Sequence, residues 1–242
     1  MAAPAPETPA AGSYTPVVTD VMRLVRVLYE PSKVFEEQRD KPSWFLPWLI
    51  VALVCVVIGI VQAPYTQRVF ELALQAIPNA PQLTDAQMRS RAMIGVIATP
   101  IVFLIFAFLG AGILFLIVSV SGSSGRYRSM LSATVFSQVM VPIALLLQAV
   151  ILRMRGAPGD AISSIADAQP ALGLNLLMSS DSHFLQAIYA GIGPLPIWSL
   201  FIVAVGIMRL DKVKKGAAWT AAIGSYVLML LIGAALAGLQ RG

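Results

Sequence analysis

The sequence predicts an all-α fold: a polytopic membrane protein with five transmembrane helices and amphipathic helices ahead of them. Three observations lead there. The chain is 57% hydrophobic and only 12% charged, against roughly 25% charged residues in ordinary soluble domains. It holds five stretches of at least 18 residues without Asp, Glu, Lys, Arg or His, and about 20 apolar residues at 1.5 Å per residue cross a hydrocarbon core of roughly 30 Å. The stretches are continuous and rich in Ala, Leu, Ile and Met, whereas a spanning barrel needs short alternating strands.

In chain order, residues 1–18 read as a disordered tail, Ala/Pro-rich and without the apolar core or positive cluster of a signal peptide, so the first span doubles as the targeting signal. Residues 19–43 form an amphipathic region. Val21, Leu24, Val25 and Leu28 recur at helical spacing behind a Thr19 or Asp20 cap, as expected of a helix lying along the membrane surface or packed beneath the bundle. Pro31 ends it, and "PSKVFEEQ" restarts a short helix with Phe35 as its apolar anchor.

Residues 44–242 carry the spans, at Trp44–Gln62, Met93–Ser119, Met130–Leu152, Phe184–Met208 and Ala217–Leu239. Trp44 and Trp48 mark the interface of the first. "RVFELALQAIP" then gathers Val69, Phe70, Ala73, Leu74 and Ile77 on one face, an interfacial helix ended by Pro78 and Pro81. Thr84 with Gln87 is a capping box that launches the second span. The loop with Gly156, Pro158, Gly159, Pro170 and Gly173 holds "LNLLM", too short to cross.

Charge sets the expected topology. Of the 17 cations, eleven fall on the side of the N-terminus and six on the other. The positive-inside rule therefore puts the N-terminus in the cytoplasm and the C-terminus outside the cytoplasmic membrane. Lys212, Lys214 and Lys215, with Arg209, anchor the fourth helix there. The basic balance is topogenic and implies no nucleic acid, and "SGSSGRYRS" lacks the Lys and spacing of a phosphate-binding loop.

Chemistry is sparse. No Asp, Glu, Lys, Arg or His lies within a span, so no catalytic residue, metal ligand or cofactor is expected. His183, the sole histidine, reads as a solvated loop residue, and the lone Cys55 as a packing residue. Pro142 frees the carbonyl of Gln138, and Pro194 and Pro196 free those of Ala190 and Ile192. The glycines Gly191 and Gly193 with Pro194 and Pro196 read either as a kink for helix packing, the preferred reading, or as a broken helix forming a binding site. In the fifth span Ala217, Ala221 and Ser225 fall four apart, as do Gly233 with Ala237 and Ala234 with Gly238, a seam for intramolecular packing or for a second protein.

Three stretches carry a family resemblance. "LYEPSKVFEEQRDKPSWFLPWLI", "GRYRSMLSATVFSQVMVP" and "FLQAIYAGIGPLPIWSLFIVAVGIMRLDKVKKGAAW", the last with Trp198 and Gly206, resemble the prokaryotic form of the Yip family, membrane proteins named for interaction with Ypt/Rab GTPases. The resemblance runs from about Leu24 to the end. It implies a five-helix bundle with a cytoplasmic N-terminus and a non-enzymatic scaffold, in some prokaryotic members beside ABC-type export machinery. The acidic-Leu-Tyr-Gly-Pro motif of the eukaryotic members is missing, so the GTPase role is not carried over. The expected function is contact with another membrane protein or a second copy within the lipid bilayer. The alternative is a small-molecule permease or channel, substrate unknown, gated at the broken fourth helix.

Overall fold

The computed structural model describes residues 16–75, 83–164, 167, 172–178, 180 and 182–239. Residues 1–15 of the expected tail, together with Ile77, Pro78, Pro81, Pro170, Asp181 and Arg241, lie outside them. Among the described residues all regular structure is helical, in ten α-helices and a 3-10 turn. Five helical segments are long and apolar enough to cross a membrane.

α1 (Pro16–Arg26) and α2 (Pro31–Glu37) form a hairpin. α1 begins three residues before the expected cap, so Thr19 and Asp20 lie inside it. Asp20 is buried and accepts from Arg23 and the Ser43 hydroxyl instead. α2 starts on Pro31, whose missing N–H is no loss in a first turn. α3 (Phe45–Gln75) carries the first span on through Pro64 into the expected interfacial segment without a break. Its far end has a partner of its own, since Tyr65, Val69 and Leu72 pack on Leu152, Ala161 and Ile162. α4 (Asp85–Val120) opens on the Thr84–Gln87 capping box and runs straight into the second span, as expected.

The third span is two helices, α5 (Tyr127–Ser137) and α6 (Met140–Arg155). Pro142 does not leave the Gln138 carbonyl open at their joint, because the Val141 N–H tightens to a three-residue bond and takes it at 2.9 Å. After α7 (Pro158–Ala161) and the 3-10 turn Leu174–Leu176, the fourth span is likewise divided, into α8 (His183–Gly191) and α9 (Pro194–Asp211). Only α9 meets the length and hydropathy of a span. α10 (Lys215–Leu239) returns antiparallel to both, against α9 with its first half and α8 with its second.

The core lies where α5, α9 and α10 meet, with α4 and α2 around them. Leu114, Met130, Phe136, Ile202 and Ile207 are fully or almost fully buried. Elsewhere large apolar side chains point outward, among them Val57, Ile97, Ile101 and Leu116, each more than 60% exposed. In water such a belt would drive aggregation; in a bilayer it is the lipid-facing surface.

Candidate functional site

Two regions gather polar side chains. The first is the basic end of the bundle, where the hairpin, the α4–α5 turn and the α9–α10 turn converge. Lys212 leaves α9 in the left-handed region (φ 54°), a helix stop with a non-glycine residue. This turn presents Asp211 to the start of α5. Its side chain is 5% exposed and accepts from the Arg126 backbone N–H at 2.8 Å, the Arg126 Nε at 2.9 Å and the Ser129 hydroxyl at 2.9 Å. A carboxylate at a helix N-terminus also meets unpaired N–H groups and the positive end of the helix dipole. Arg126 reaches on to the Arg39 carbonyl, Arg39 donates to the Arg209 carbonyl, and Arg209 pairs with Glu36 at 2.7 Å. Arg128 and Ser132 hold the carbonyls of Pro42 and Ser43.

Phe35 and Gly206 sit in this layer together. Phe35 is fully buried, edge-on to Phe136 at 5.6 Å. A Cβ on Gly206 would lie 3.1 Å from the Phe35 ring and 2.7 Å from Ala133 Cβ, so the glycine is what lets α2 and α5 close on α9. Trp198 stacks on Phe201 and donates its indole N–H to the Leu28 carbonyl at 3.1 Å. The hairpin thus runs alongside α9 from Trp198 to Arg209, roughly 16 Å of helix. Its buried side, Leu24, Val27, Val34 and Phe35, is part of the bundle's core.

The hairpin carries ion pairs of its own. Arg26 reaches Glu37 at 2.8 Å and Glu30 at 3.7 Å, and Lys33 reaches Glu30 at 2.9 Å. The hydrogen bond that Arg26 donates to Glu37 holds its guanidinium above the ordinary pKa. The hydrogen bond from Lys33, helped by the charges of Lys33 and Arg26, holds Glu30 below the usual glutamate range. What the layer leaves outward is mixed: Val21, Met22, Val25 and Tyr29 are 41 to 65% exposed, and Lys212, Lys214 and Lys215 are exposed at the turn.

The second region is a cavity of about 180 Å³ between α4, α5, α9 and α10. Thr134, Ser137, Gln138, Ser199, Ser225 and Tyr226 supply its polar lining. Gln138 donates its amide to the Phe103 carbonyl at 3.2 Å, while its Oε1 is buried without a partner. Ala221 is fully buried and Ser225 nearly so, which places both against the chain's own helices, whereas Gly233 has nothing within 4 Å.

The break at Gly191 to Pro196 is occupied by protein. The Leu174 N–H bonds the Ile192 carbonyl at 2.6 Å, Ile197 N–H bonds that of Gly193 at 3.0 Å, and the Tyr226 hydroxyl donates to that of Gly191. Gly193 lies against Gly173, so close that a Cβ on Gly193 would stand 2.8 Å from the Gly173 Cα. No segment of sequence near the break announces Gly173 as its partner. Among the described residues no three His, Cys, Asp or Glu side chains gather to hold a metal ion. His183 opens α8 and is exposed, and Cys55 is buried in α3.

An all-helical bundle with a lipid-facing belt, two divided spans and a cross-tied basic end defines a multi-pass integral membrane protein. The Yip1 domain family model matches residues 25–237, and the chain belongs to that family. It is similar to the membrane protein YknW of Bacillus subtilis (strain 168), 28% identical over 222 residues that cover 88% of this chain and 89% of the relative. No solved structure matches it.

Proposed function

We propose that the protein works by contact, as a non-enzymatic scaffold or regulatory partner of a membrane transport or envelope complex in the cytoplasmic membrane, an ABC-type exporter being the candidate the family resemblance suggests. Its N-terminus is cytoplasmic and its C-terminus outside, following the cation distribution. The observation that carries this reading is the basic end. Three separate parts of the chain are tied there into one layer by Asp211, Arg126, Arg39, Arg209 and Glu36. That layer holds exposed Val25 on α1, exposed Tyr29 in the turn that follows and exposed lysines at 212, 214 and 215 in fixed relation, the apolar-plus-basic composition of a surface that meets another protein at a membrane.

Copurification after mild detergent extraction tests it, with photocrosslinkers placed at Val25 and Lys212. The reading expects a stoichiometric membrane-protein partner cross-linked at both positions, or a second copy of this chain. A lone chain under all conditions overturns it. The permease alternative predicts solute flux through purified protein in liposomes, abolished by Pro194→Leu with Pro196→Leu. The bonded carbonyls at the break favour the kink over the gate. Impermeant labelling of single cysteines at the termini checks the topology, which fails if both ends react from one side.

A further inference from the structure

We propose that the cavity between α4, α5, α9 and α10 is a binding site for a neutral, hydroxyl-bearing amphiphile whose hydroxyl proton goes to Gln138 Oε1. The proposal does not rest on the scaffold reading. It starts from where the lining protons point. Thr134 donates to the Met130 carbonyl, Ser137 to that of Thr134, Ser199 to that of Ser137, Ser225 to that of Ala222, and Tyr226 to that of Gly191. Each hydroxyl has turned its one hydrogen to the backbone, so toward the cavity these oxygens only accept.

Gln138 completes the pattern. Its Nε2 donates to the Phe103 carbonyl, which fixes which end of the amide is which. Oε1 is therefore the buried acceptor left without a donor. Within the apolar part of a bilayer there is no bulk water to satisfy it, and an unmet buried acceptor asks for a donor.

Charge narrows the ligand further. Lys, Arg, Asp, Glu and His are absent from the lining. A cation would enter without a counter-charge, at heavy desolvation cost, and an anion would face lone pairs. A neutral donor remains. Phe106, Leu114, Leu200, Val203 and Met229, with the small Gly110 and Ala222, form the rest of the wall and suit an apolar body. At about 180 Å³ the space exceeds that of an apolar cavity known to take benzene. Phe106, Leu200, Val203 and Met229 are only half-buried, so the site is not sealed from its surroundings. A hydroxyl on a membrane lipid and a hydroxyl on a free polyol share the required chemistry.

The full-length protein in nanodiscs decides the matter, with a diazirine-bearing long-chain primary alcohol as probe and the matching diazirine alkane as control. The alcohol should label peptides containing Phe106, Leu200 or Met229 about tenfold more than the alkane. Gln138→Leu should reduce that labelling by about tenfold, the worth of one well-placed hydrogen bond. Val203→Trp, which fills the space and touches no hydrogen bond, should abolish it while helicity and elution volume stay native. If Gln138→Leu fails to fold, the alcohol–alkane comparison on the native chain still decides. Displacement by dioleoylglycerol in the nanodisc assigns a lipid source, and displacement by glycerol in the buffer a free one. Equal labelling by alcohol and alkane, or alcohol labelling that neither competitor displaces, overturns the proposal.

Discussion

Asp211 closes α9 and opens α5 at once, accepting the backbone N–H and the guanidinium Nε of Arg126 while its own side chain is 5% exposed. Two turns far apart in the chain are thereby held by one carboxylate. Asp211→Asn keeps the shape but removes the charge and one acceptor. The expected loss is about 2 kcal/mol, in the range of hydrogen bonds to charged groups. Denaturant unfolding in mild detergent, followed by tryptophan fluorescence, measures it; an unchanged midpoint would remove the carboxylate from its role as the tie.

Gly206 fixes how closely α2 approaches α9. A methyl there meets Ala133 Cβ at 2.7 Å, a backbone-anchored neighbour that cannot swing away, as well as the Phe35 ring. Gly206→Ala is expected to cost about 1–3 kcal/mol, as overpacking of a filled site does. Phe35→Ala, which empties a fully buried position, is expected to cost about 3–5 kcal/mol. Both changes should release the hairpin, read as faster proteolysis between Gln38 and Pro42, with the loss larger for Phe35→Ala.

Glu30 ties the hairpin turn through Arg26 and Lys33, and those contacts hold its pKa below the ordinary value. A depressed carboxylate contributes stability that is complete above its unfolded pKa and is lost as pH falls through the folded one. The α1–α2 turn should therefore loosen in acid, below the usual glutamate range, and be indifferent to pH near neutrality. Hydrogen exchange of the Val34 amide, which bonds the Glu30 carbonyl at 3.3 Å, reports it once corrected for intrinsic rates. Glu30→Gln should remove the acid-dependent part of the change, and if it leaves that part intact another carboxylate is responsible.

What could be read from sequence divides by the range of the interaction. The Thr84–Gln87 capping box and the Pro31 start of α2 are local signals, decided within four residues, and each stands where it was expected. Pro142 marked Gln138 in the third span but not the division into two helices there, because Ser137 and Gln138 interrupt an apolar run without breaking its hydropathy. The glycines and prolines of residues 191–196 announced a break but not what fills it. Gly173 and Tyr226 come from either side in sequence, and nothing in their neighbours marks them. The cavity was not legible for a related reason: its hydroxyls are spread over α5, α9 and α10 as single polar residues in apolar helices, and nothing local says that they meet.

Gly193 tests the break itself. Its φ of −165° is extended backbone that any residue adopts, so conformation does not require glycine there. Space does. A Cβ would stand 2.8 Å from Gly173 Cα and 2.9 Å from the Leu172 carbonyl oxygen, both main-chain atoms. Gly193→Ala should therefore push the 172–178 segment away and strain the Leu174-to-Ile192 hydrogen bond, which is 2.6 Å in the native chain. We expect exchange of the Leu174 amide to accelerate about tenfold, the weight of roughly 1.4 kcal/mol. Gly216→Ala is the matched control, a helix residue of α10 with nothing within 4 Å of the added methyl, where the change should be neutral or slightly stabilising. If both substitutions leave Leu174 protected, the loop is not what holds the two halves of the fourth span in register, and the kink must be maintained by the Tyr226 hydroxyl on the Gly191 carbonyl, which Tyr226→Phe would then expose.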